Sequence, residues 1–235
     1  MASVAATPPP RWLSCTALPG SQPSWGASPH MSLVGGSTFD LRRDANGVAW
    51  DFRRADHRRR AREQIREEKP LRVIGSPPCT DFCAIQNLNR HRWGPAEVRR
   101  RRAEAMVLLG FAVEIYWLQL EAGRHFLHEH PATASSWRER IVMELRRDER
   151  VGEIIGDQCR YGLRTTGLHG EWCPAKKPTR FLSSAEAVLE QLSLRCRGTH
   201  RHQPHPGQAA CRRGRDLPPG RLPSDPRGGG GATTA

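Results

Sequence analysis

Apolar and polar positions follow two different periods along the middle of the chain. Short apolar runs that stop at glycine, proline or a charged residue are typical of strands, and longer runs with apolar positions three or four apart are typical of helices. The short runs predict strands at residues 37–41, 71–75, 125–131, 151–155 and 177–182. The longer runs predict helices at residues 55–68, 95–123, 136–148 and 183–194.

Capping residues set the boundaries of these helices. Pro95 suits the first position of a helix, and Gly123 suits the residue that follows the last turn. Two further pairs match the capping box, in which each side chain binds the other residue's backbone N–H. These pairs are Ser136 with Glu139 and Ser183 with Glu186.

The alternation of strands and helices favours an α/β domain. Such an order is typical of a mostly parallel sheet with helices on both faces. Residues 1–36 are rich in proline, serine and glycine, and residues 196–235 are rich in arginine, proline and glycine, so we expect both to be disordered. We therefore predict one domain, residues 37–195, between two disordered tails.

Composition narrows the class of protein. A hydrophobic content of 37% allows a core, and the formal net charge of +13 favours polyanionic partners, nucleic acid before membrane. Seven irregularly spaced cysteines favour free thiols in a reducing compartment. Residues 1–31 lack the apolar centre of a secretory signal, and polar residues interrupt the apolar run 103–120. We expect a soluble intracellular protein, nuclear or cytoplasmic.

Polar and reactive side chains directly follow three of the predicted strands. Ser-Pro-Pro-Cys stands at 76–79, His-Glu-His-Pro at 128–131 and Asp-Gln-Cys-Arg-Tyr-Gly at 157–162, with Lys-Pro-Thr later at 177–179. Ligands of open α/β sheets bind where the carboxyl ends of the strands meet. We therefore expect these segments to build one site.

Cys79 is the candidate nucleophile of that site. Pro77 and Pro78 have a fixed φ and no backbone N–H, so they end the strand and hold Cys79 in a rigid loop. Taken alone, Cys79 is equally consistent with a small buried side chain, which is the commoner role of a single cysteine.

The ordered set of motifs resembles the cytosine-5 DNA methyltransferases of the phage- and transposon-associated type. Residues 76–82 (Ser-Pro-Pro-Cys-Thr-Asp-Phe) look like their catalytic Pro-Cys loop, and residues 129–131 (Glu-His-Pro) resemble their Glu-Asn-Val or Glu-Asn-Pro motif. Residues 158–162 with 177–179 are similar to the Gln-x-x-Tyr-Gly and Lys-Pro-Thr pattern of phage-type members. The matches keep the family's order across about residues 70–182.

The resemblance implies a Rossmann-like enzyme that methylates DNA with S-adenosylmethionine as cofactor. In the implied mechanism the Cys79 thiolate adds to C6 of a flipped cytosine, Glu129 supports protonation at N3, and C5 takes the methyl group before Cys79 leaves. Asp40 matches the acidic residue that holds the donor's ribose. The resemblance places the following residues against the DNA substrate: Ser76, Pro77, Pro78, Thr80, Gln158, Arg160, Lys176, Lys177 and Thr179.

The chain also departs from the family. No glycine-rich donor loop precedes the motifs, and Val-Gly-Gly at 34–36 is a poor match to it. Cys83 and His130 stand where the family usually has Ser and Asn, and residues 163–176 leave little room for a target-recognition domain. The alternative is a mobile-element-derived basic domain that binds nucleic acid without catalysis.

A zinc site is a further possibility. Cys196, His200 and His202 are the most metal-like trio, and Cys79, Cys83, Cys159 and Cys173 supply other thiols. No Cys-x2-Cys pair is present, and Cys79 belongs to the Pro-Cys loop, so we predict no metal.

Two groups of charged or titratable residues have structural interpretations. His128 and His130 alternate around Glu129 along a strand, and we expect both to pack or to form hydrogen bonds. The Arg99–Arg102 run is typical of a solvated helix start. Because cations are disfavoured at a helix N-terminus, a role facing phosphate is the alternative.

Overall fold

A computed structural model describes residues 13–17, 34–40, 49–83, 92–166 and 171–202. The described strands are β1 (Leu13–Ala17), β2 (Val34–Phe39), β3 (Arg72–Gly75), β4 (His125–Pro131), β5 (Gly152–Asp157), β6 (Arg164–Thr166), β7 (Trp172–Pro174) and β8 (Pro178–Ser183). The described helices are α1 (Ala55–Glu68), α2 (Pro95–Glu121), α3 (Arg140–Arg146) and α4 (Glu186–Gln191). Short 3-10 turns lie at Thr80–Phe82, Ser135–Arg138 and Gln158–Tyr161.

The main sheet is mixed. Its strand order is β2-β1-β3-β4-β8-β5, and among the described pairs only β3 with β4 is parallel. The α/β class is therefore confirmed, and the mostly parallel, Rossmann-like sheet is wrong. A parallel return needs a crossover of roughly a dozen residues or more, usually a helix. Between β5 and β8 the chain instead forms the β6–β7 hairpin, so β8 returns antiparallel between β4 and β5.

Strands β2, β3, β4 and β5 nevertheless point the same way, because β1 and β8 each run antiparallel between two of them. Leu13 of β1 pairs with both Phe39 and Gly75, so β2 and β3 end at the same level on either side of β1. Asp157 pairs with Pro178, so β8 begins where β5 ends. We call this end of the sheet, built by residues 40, 76, 131, 157 and 177, the carboxyl edge.

Several predicted boundaries agree with the structure. Helix α1 and strand β4 have the predicted bounds, and α2 begins at Pro95. Gly123 follows α2 with φ of 65°, a left-handed conformation that glycine adopts without steric cost. The predicted helix end is therefore confirmed.

Both predicted capping boxes are wrong. Ser136 lies inside a 3-10 turn and its hydroxyl binds His130, whereas Glu139 pairs with Arg102. The hydroxyl of Ser183 donates to a β4 carbonyl and accepts from the amide of the residue before α4. In each case a tertiary partner takes the side chain that the local pattern assigned to the helix end.

Helices cover both faces of the sheet. Two apolar clusters pack α1, α2 and α3 against one face, with Tyr116 stacked on Phe126 at 4.6 Å between ring centroids. A third cluster joins Leu189 of α4 to Leu127 and Phe181 on the other face. Helix α2 is long and apolar enough to cross a membrane by length and composition, but 56% of its apolar window is buried. The buried part of α2 packs within the first two of these clusters.

Parts of both predicted tails belong to the fold. Strand β1, within the predicted leader 1–36, pairs between β2 and β3. Residues 196–202, the start of the predicted C-terminal tail, pack beside the end of β5, where the Cys196 amide donates to Asp157. The folded region therefore extends to residue 202, and residues 203–235 lie outside the described part of the chain.

Gly75 sets how closely α2 approaches β3. A Cβ atom built at Gly75 would lie 1.9 Å from the hydroxyl oxygen of Tyr116, which is fully buried. Because this core is closely packed, we expect Gly75→Ala to lower the free energy of unfolding by about 1–3 kcal/mol, measured by urea denaturation.

Two further variants test whether the contact with Tyr116 causes the loss of stability in Gly75→Ala. Gly110→Ala, in the middle of α2, has its nearest neighbour 4.0 Å from the new Cβ and is expected to stabilise the protein by about 0.5–1 kcal/mol. Removing the Tyr116 hydroxyl in a Gly75→Ala, Tyr116→Phe double variant should restore part of the loss. Equal stabilities for Gly75→Ala and the parent protein would contradict the close approach.

Candidate active site at the carboxyl edge

The Pro-Cys loop is anchored at both ends. It leaves β3 through residues 76–78 and enters the turn Thr80–Phe82, whose last amide donates to the Cys79 carbonyl at 2.9 Å. Phe82 is buried in the main core and stacks under the guanidinium of Arg102, 4.3 Å from its ring centroid. Cys79 therefore sits half-buried on a backbone that cannot move far from the sheet.

Glu129 lies beside this loop and is held by two donors. The Ser76 hydroxyl donates to Glu129 Oε2 at 2.6 Å, and Lys177 Nζ donates to Oε1 at 3.3 Å. Because Gly75 pairs with His128, the next residues of the two strands, Ser76 and Glu129, stand side by side. The Glu129 side chain keeps 21% of its surface exposed, so its carboxylate can be reached from outside.

The thiol of Cys79 is activated by its surroundings. The Cys83 thiol donates a hydrogen bond to the Cys79 sulfur, and the charge of Lys177 acts on it as well. Together they lower the pKa of Cys79 to about 7, against burial and the negative charge of Glu129. The same hydrogen bond and burial raise the pKa of Cys83. This shift favours the thiolate of Cys79, the form that acts as a nucleophile.

Cys83 contributes to this site through its hydrogen bond to Cys79, although its sequence pattern predicted no such role. Its signal in the sequence is a thiol four residues after the nucleophile, across a single turn. A Ser hydroxyl at that position is also a hydrogen-bond donor.

His130 holds the backbone of the Pro-Cys loop through hydrogen bonds. Burial lowers the pKa of His130, so its ring is neutral. Nε2 lies 2.7 Å from the Pro77 carbonyl and Nδ1 lies 2.7 Å from the Ser136 hydroxyl. With Nε2–H donating to Pro77, Nδ1 accepts from Ser136 and the ring holds the loop backbone to β4. The predicted hydrogen-bonding role of His130 is confirmed.

His128 has a purely internal environment. Burial keeps the pKa of His128 well below its usual value, and its Nδ1 lies 3.0 Å from the Tyr116 hydroxyl. Its Nε2 has no hydrogen-bond partner within the described residues. His128 and His130 both point to the face of β4 opposite Glu129, so neither reaches the side of the sheet where Glu129 lies.

Gln158 and Thr179 hold the backbone of Lys177 in place. Gln158 Nε2 donates to Thr179 Oγ1 at 3.2 Å, and the Thr179 hydroxyl donates to the Lys177 carbonyl at the same distance. The Gln158 amide donates to that carbonyl as well. Thr179 is fully buried, so it has no surface left for a substrate. The resemblance placed both residues against the DNA; here they position the lysine.

The other residues that the resemblance assigned to substrate differ in exposure. Thr80 and Arg160 are exposed, Pro78 and Lys176 are half-buried, and Pro77 is buried. Thr80 and Arg160 thus offer the most surface to a nucleic acid. Pro77 acts through the backbone carbonyl that His130 binds.

The arginines at the start of α2 bind carboxylates of the protein. Arg100 pairs with Glu97 and Glu104 on its own helix, and Arg102 pairs with Glu139. Arg101 bonds Asp81 in the turn after Cys79 at 3.0 Å. Three of the four arginines in the run therefore form ion pairs with carboxylates of this chain. These pairs argue against the alternative that the run binds phosphate groups.

The donor cradle that the resemblance implies does not fit the described residues. Asp40 does lie at the carboxyl edge, but Gly35 pairs with Thr16 inside the sheet rather than forming a loop there. The cleft beside Pro78 measures about 230 Å³, below the roughly 300–1,000 Å³ usual for ligand pockets. Its charged side chains already pair with one another, including Arg53 with Asp51.

The pH dependence of alkylation tests the activation of Cys79. We expect the rate of Cys79 alkylation by iodoacetamide to rise with pH around a midpoint of about 7. Cys83→Ala removes the largest stabilising contact and should raise this midpoint most, and Lys177→Gln should raise it less. The alkylation rate at each pH is measured by mass spectrometry as the modified fraction of the Cys79 peptide over time, and the midpoint is read from the plot of rate against pH.

Cys173→Ser serves as the control, because Cys173 lies in β7 and bonds Glu171 rather than the loop. It should leave the Cys79 midpoint unchanged. A parent midpoint near the ordinary thiol value of 9.0 would rule out activation.

Searches of protein-family models, curated proteins and solved structures find no match to this chain. What the site does must therefore follow from its own geometry and chemistry.

Proposed function

We propose that the carboxyl-edge site adds the Cys79 thiolate to C6 of cytosine in DNA, the covalent half of the cytosine-5 methyltransferase reaction. One observation carries the proposal. A thiol with a pKa of about 7 lies under the charges of a carboxylate and a lysine that come from two other strand ends. These groups suit addition to a pyrimidine, because a nucleophile attacks the ring, an acid–base group binds the base edge and the lysine favours the thiolate.

The reaction is balanced by proton movements within the base and the site. The thiolate forms an S–C6 bond, and the C5=C6 electrons move into the ring toward N3. Glu129 accepts from the exocyclic amino group and shares a proton with N3, while Ser76 and Lys177 hold the carboxyl in place. C5 then takes a proton from water. Water takes the original C5 hydrogen as a proton, and N3 returns its proton to Glu129. The C5=C6 bond re-forms as the S–C6 bond breaks, so cytosine is restored and the C5 hydrogen exchanges with solvent.

The surroundings of the site are compatible with this substrate. A base inside a duplex exposes too little of C6, so the cytosine must be flipped out or already unpaired. The net charge of +13 attracts the phosphate backbone, and exposed Arg160 lies next to the Gln158–Thr179 pair. The described cysteines are free thiols, in keeping with an intracellular location.

The second candidate function is nucleic-acid binding without turnover. The misfit of the donor cleft favours it, because a site without a donor cannot complete methylation. Methyl transfer therefore stands as its own proposal, to be tested apart from thiolate addition.

Hydrogen exchange is the direct test of thiolate addition. The full chain is incubated with random-sequence DNA, single-stranded and duplex, whose cytosines carry deuterium at C5. We expect loss of deuterium. DNA containing 5-azacytosine should accumulate the adduct, because a nitrogen at position 5 makes C6 more electrophilic and favours thiolate addition. Peptide mapping should place that adduct on Cys79.

The outcomes separate the candidates. Exchange with methylation from labelled S-adenosylmethionine supports the complete reaction, and exchange alone supports the covalent half. DNA binding with neither exchange nor adduct supports the binding domain and overturns the proposal.

A further inference from the structure

We propose that Cys159, Cys196, His200 and His202 form a zinc site. These side chains come from two segments, the turn after β5 and the chain that follows α4. Their ligand atoms all lie within 4.8 Å of one another. Two thiols and two imidazoles are the ligand set of closed, structural Zn²⁺ sites. The site is separate from the Cys79 loop and does not depend on the proposed function.

The distances match a tetrahedron around one ion. Zn–S bonds of about 2.3 Å and Zn–N bonds of about 2.05 Å place sulfur and nitrogen ligands about 3.6 Å apart. Cys196 Sγ lies 3.7 Å from His200 Nε2 and 3.3 Å from His202 Nε2. Both histidines therefore present the same ring nitrogen at the spacing that zinc requires.

The backbone around Cys196 is built to support a metal-bound thiolate. The Gly198 amide donates to Cys196 Sγ at 3.3 Å, and Gly198 has φ of 76°. That left-handed conformation turns the chain so that the amide faces the sulfur, and glycine adopts it at no steric cost. Donors to the ligand atoms orient them and tune the metal.

A buried carboxylate completes the surroundings. Asp157 is 1% exposed, and its Oδ2 accepts the Cys196 amide at 2.8 Å and pairs with Arg195 at 3.3 Å. Its Oδ1 is buried with no partner among the described residues. A negative group held in the interior beside four ligand atoms is stabilised by a bound cation.

The sequence pattern suits this geometry. His200 and His202 are two residues apart in a segment without helix, and side chains at that spacing point to the same side of an extended chain. The missing ligand in the sequence was Cys159, which the fold brings from 37 positions before Cys196. Local spacing does not reveal this pairing, because Cys159 and Cys196 are distant in the sequence.

Zinc would fasten the segment after α4 to the end of β5. That segment already contacts β5, because the Asp157 amide donates to the Leu194 carbonyl at 3.0 Å and the Leu194 amide donates to Tyr161 Oη at 2.8 Å. Binding converts two thiols to thiolates and releases their protons to solvent, so affinity should fall at low pH.

The test measures metal directly. The full chain, kept under a thiol reductant, is dialysed against Zn²⁺ and analysed by elemental mass spectrometry, with one Zn²⁺ per chain expected. Replacing Zn²⁺ by Co²⁺ should give the visible absorption of a tetrahedral ion and a thiolate-to-cobalt band in the near ultraviolet. The cobalt spectrum reports the ligand set in the parent protein, so it decides the issue even where a variant fails to fold.

Variants identify the ligands. Cys196→Ser and His202→Ala should each lower zinc affinity by about 100-fold or more. Cys173→Ser and Cys79→Ser lie outside the cluster and should keep one Zn²⁺ per chain. No bound Zn²⁺ in the reduced parent, undiminished affinity in both ligand variants, or a Cys159–Cys196 disulfide under reductant would overturn the proposal.

Discussion

Cys79→Ser is expected to reduce cytosine C5 exchange by about 10⁴-fold or more and to abolish the 5-azacytosine adduct. Serine is nearly the same size, so the loop should keep its anchors in β3 and at Phe82. A hydroxyl is almost wholly protonated at neutral pH, whereas the Cys79 thiol has a pKa of about 7. The loss therefore reports the nucleophile itself.

The measurement is the initial rate of deuterium loss from cytosine C5, with adduct formation on a denaturing gel. Cys173→Ser is the matched control, because it removes a thiol outside the loop and should retain the parent rate. Exchange that persists in Cys79→Ser would show that another group attacks the base. Equal melting temperatures of the parent and Cys79→Ser would exclude unfolding as the cause.

Glu129→Gln is expected to separate the two parts of the chemistry. The amide keeps the shape of the side chain and still accepts from Ser76, but it cannot hold a proton for N3. Exchange should fall by about 10²- to 10⁴-fold, the range typical of a lost general acid–base group. The thiol should become more reactive, because the Glu129 charge raises the pKa of Cys79.

Measuring alkylation and deuterium exchange on the same variant distinguishes the loss of a proton donor from damage to the loop. Iodoacetamide alkylation of Cys79 at neutral pH should be unchanged or faster in Glu129→Gln, while deuterium exchange falls. A parallel fall in both rates would indicate a disturbed loop instead of a lost proton donor. Ser76→Ala, which removes one of the two donors to Glu129, should give a smaller loss of exchange.

The sequence predicted what local patterns control. The bounds of helix α1 and strand β4 and the start of helix α2 depend on periodicity and on Pro70, Pro131 and Pro95, and these agree with the structure. The sheet topology depends on which strands pair, and no local pattern encodes that. Strand β8 pairs antiparallel with β4 and β5 because the link before it folds as the β6–β7 hairpin and forms no crossover helix.

The same distinction between local patterns and long-range contacts applies to the candidate site. Proline chemistry and motif order placed Cys79 and Glu129 at neighbouring strand ends, which the mixed sheet preserves. The partners of these residues could not be predicted, because they depend on register and on buried contacts. Thr179 was assigned to substrate although it is fully buried, and His130 proved to hold the loop through the Pro77 carbonyl.

The segment that follows α4 has a further consequence for solubility. Strand β5 is the last strand of the main sheet, and its outer side is a template for pairing with another chain. The Leu194 carbonyl accepts a hydrogen bond from the Asp157 amide, and the Arg195 side chain donates one to the Ile155 carbonyl. The Leu192 carbonyl lies against Gly156. A chain cut after α4 would expose this strand edge and should aggregate, so residues 192–196 act as a cover against self-association.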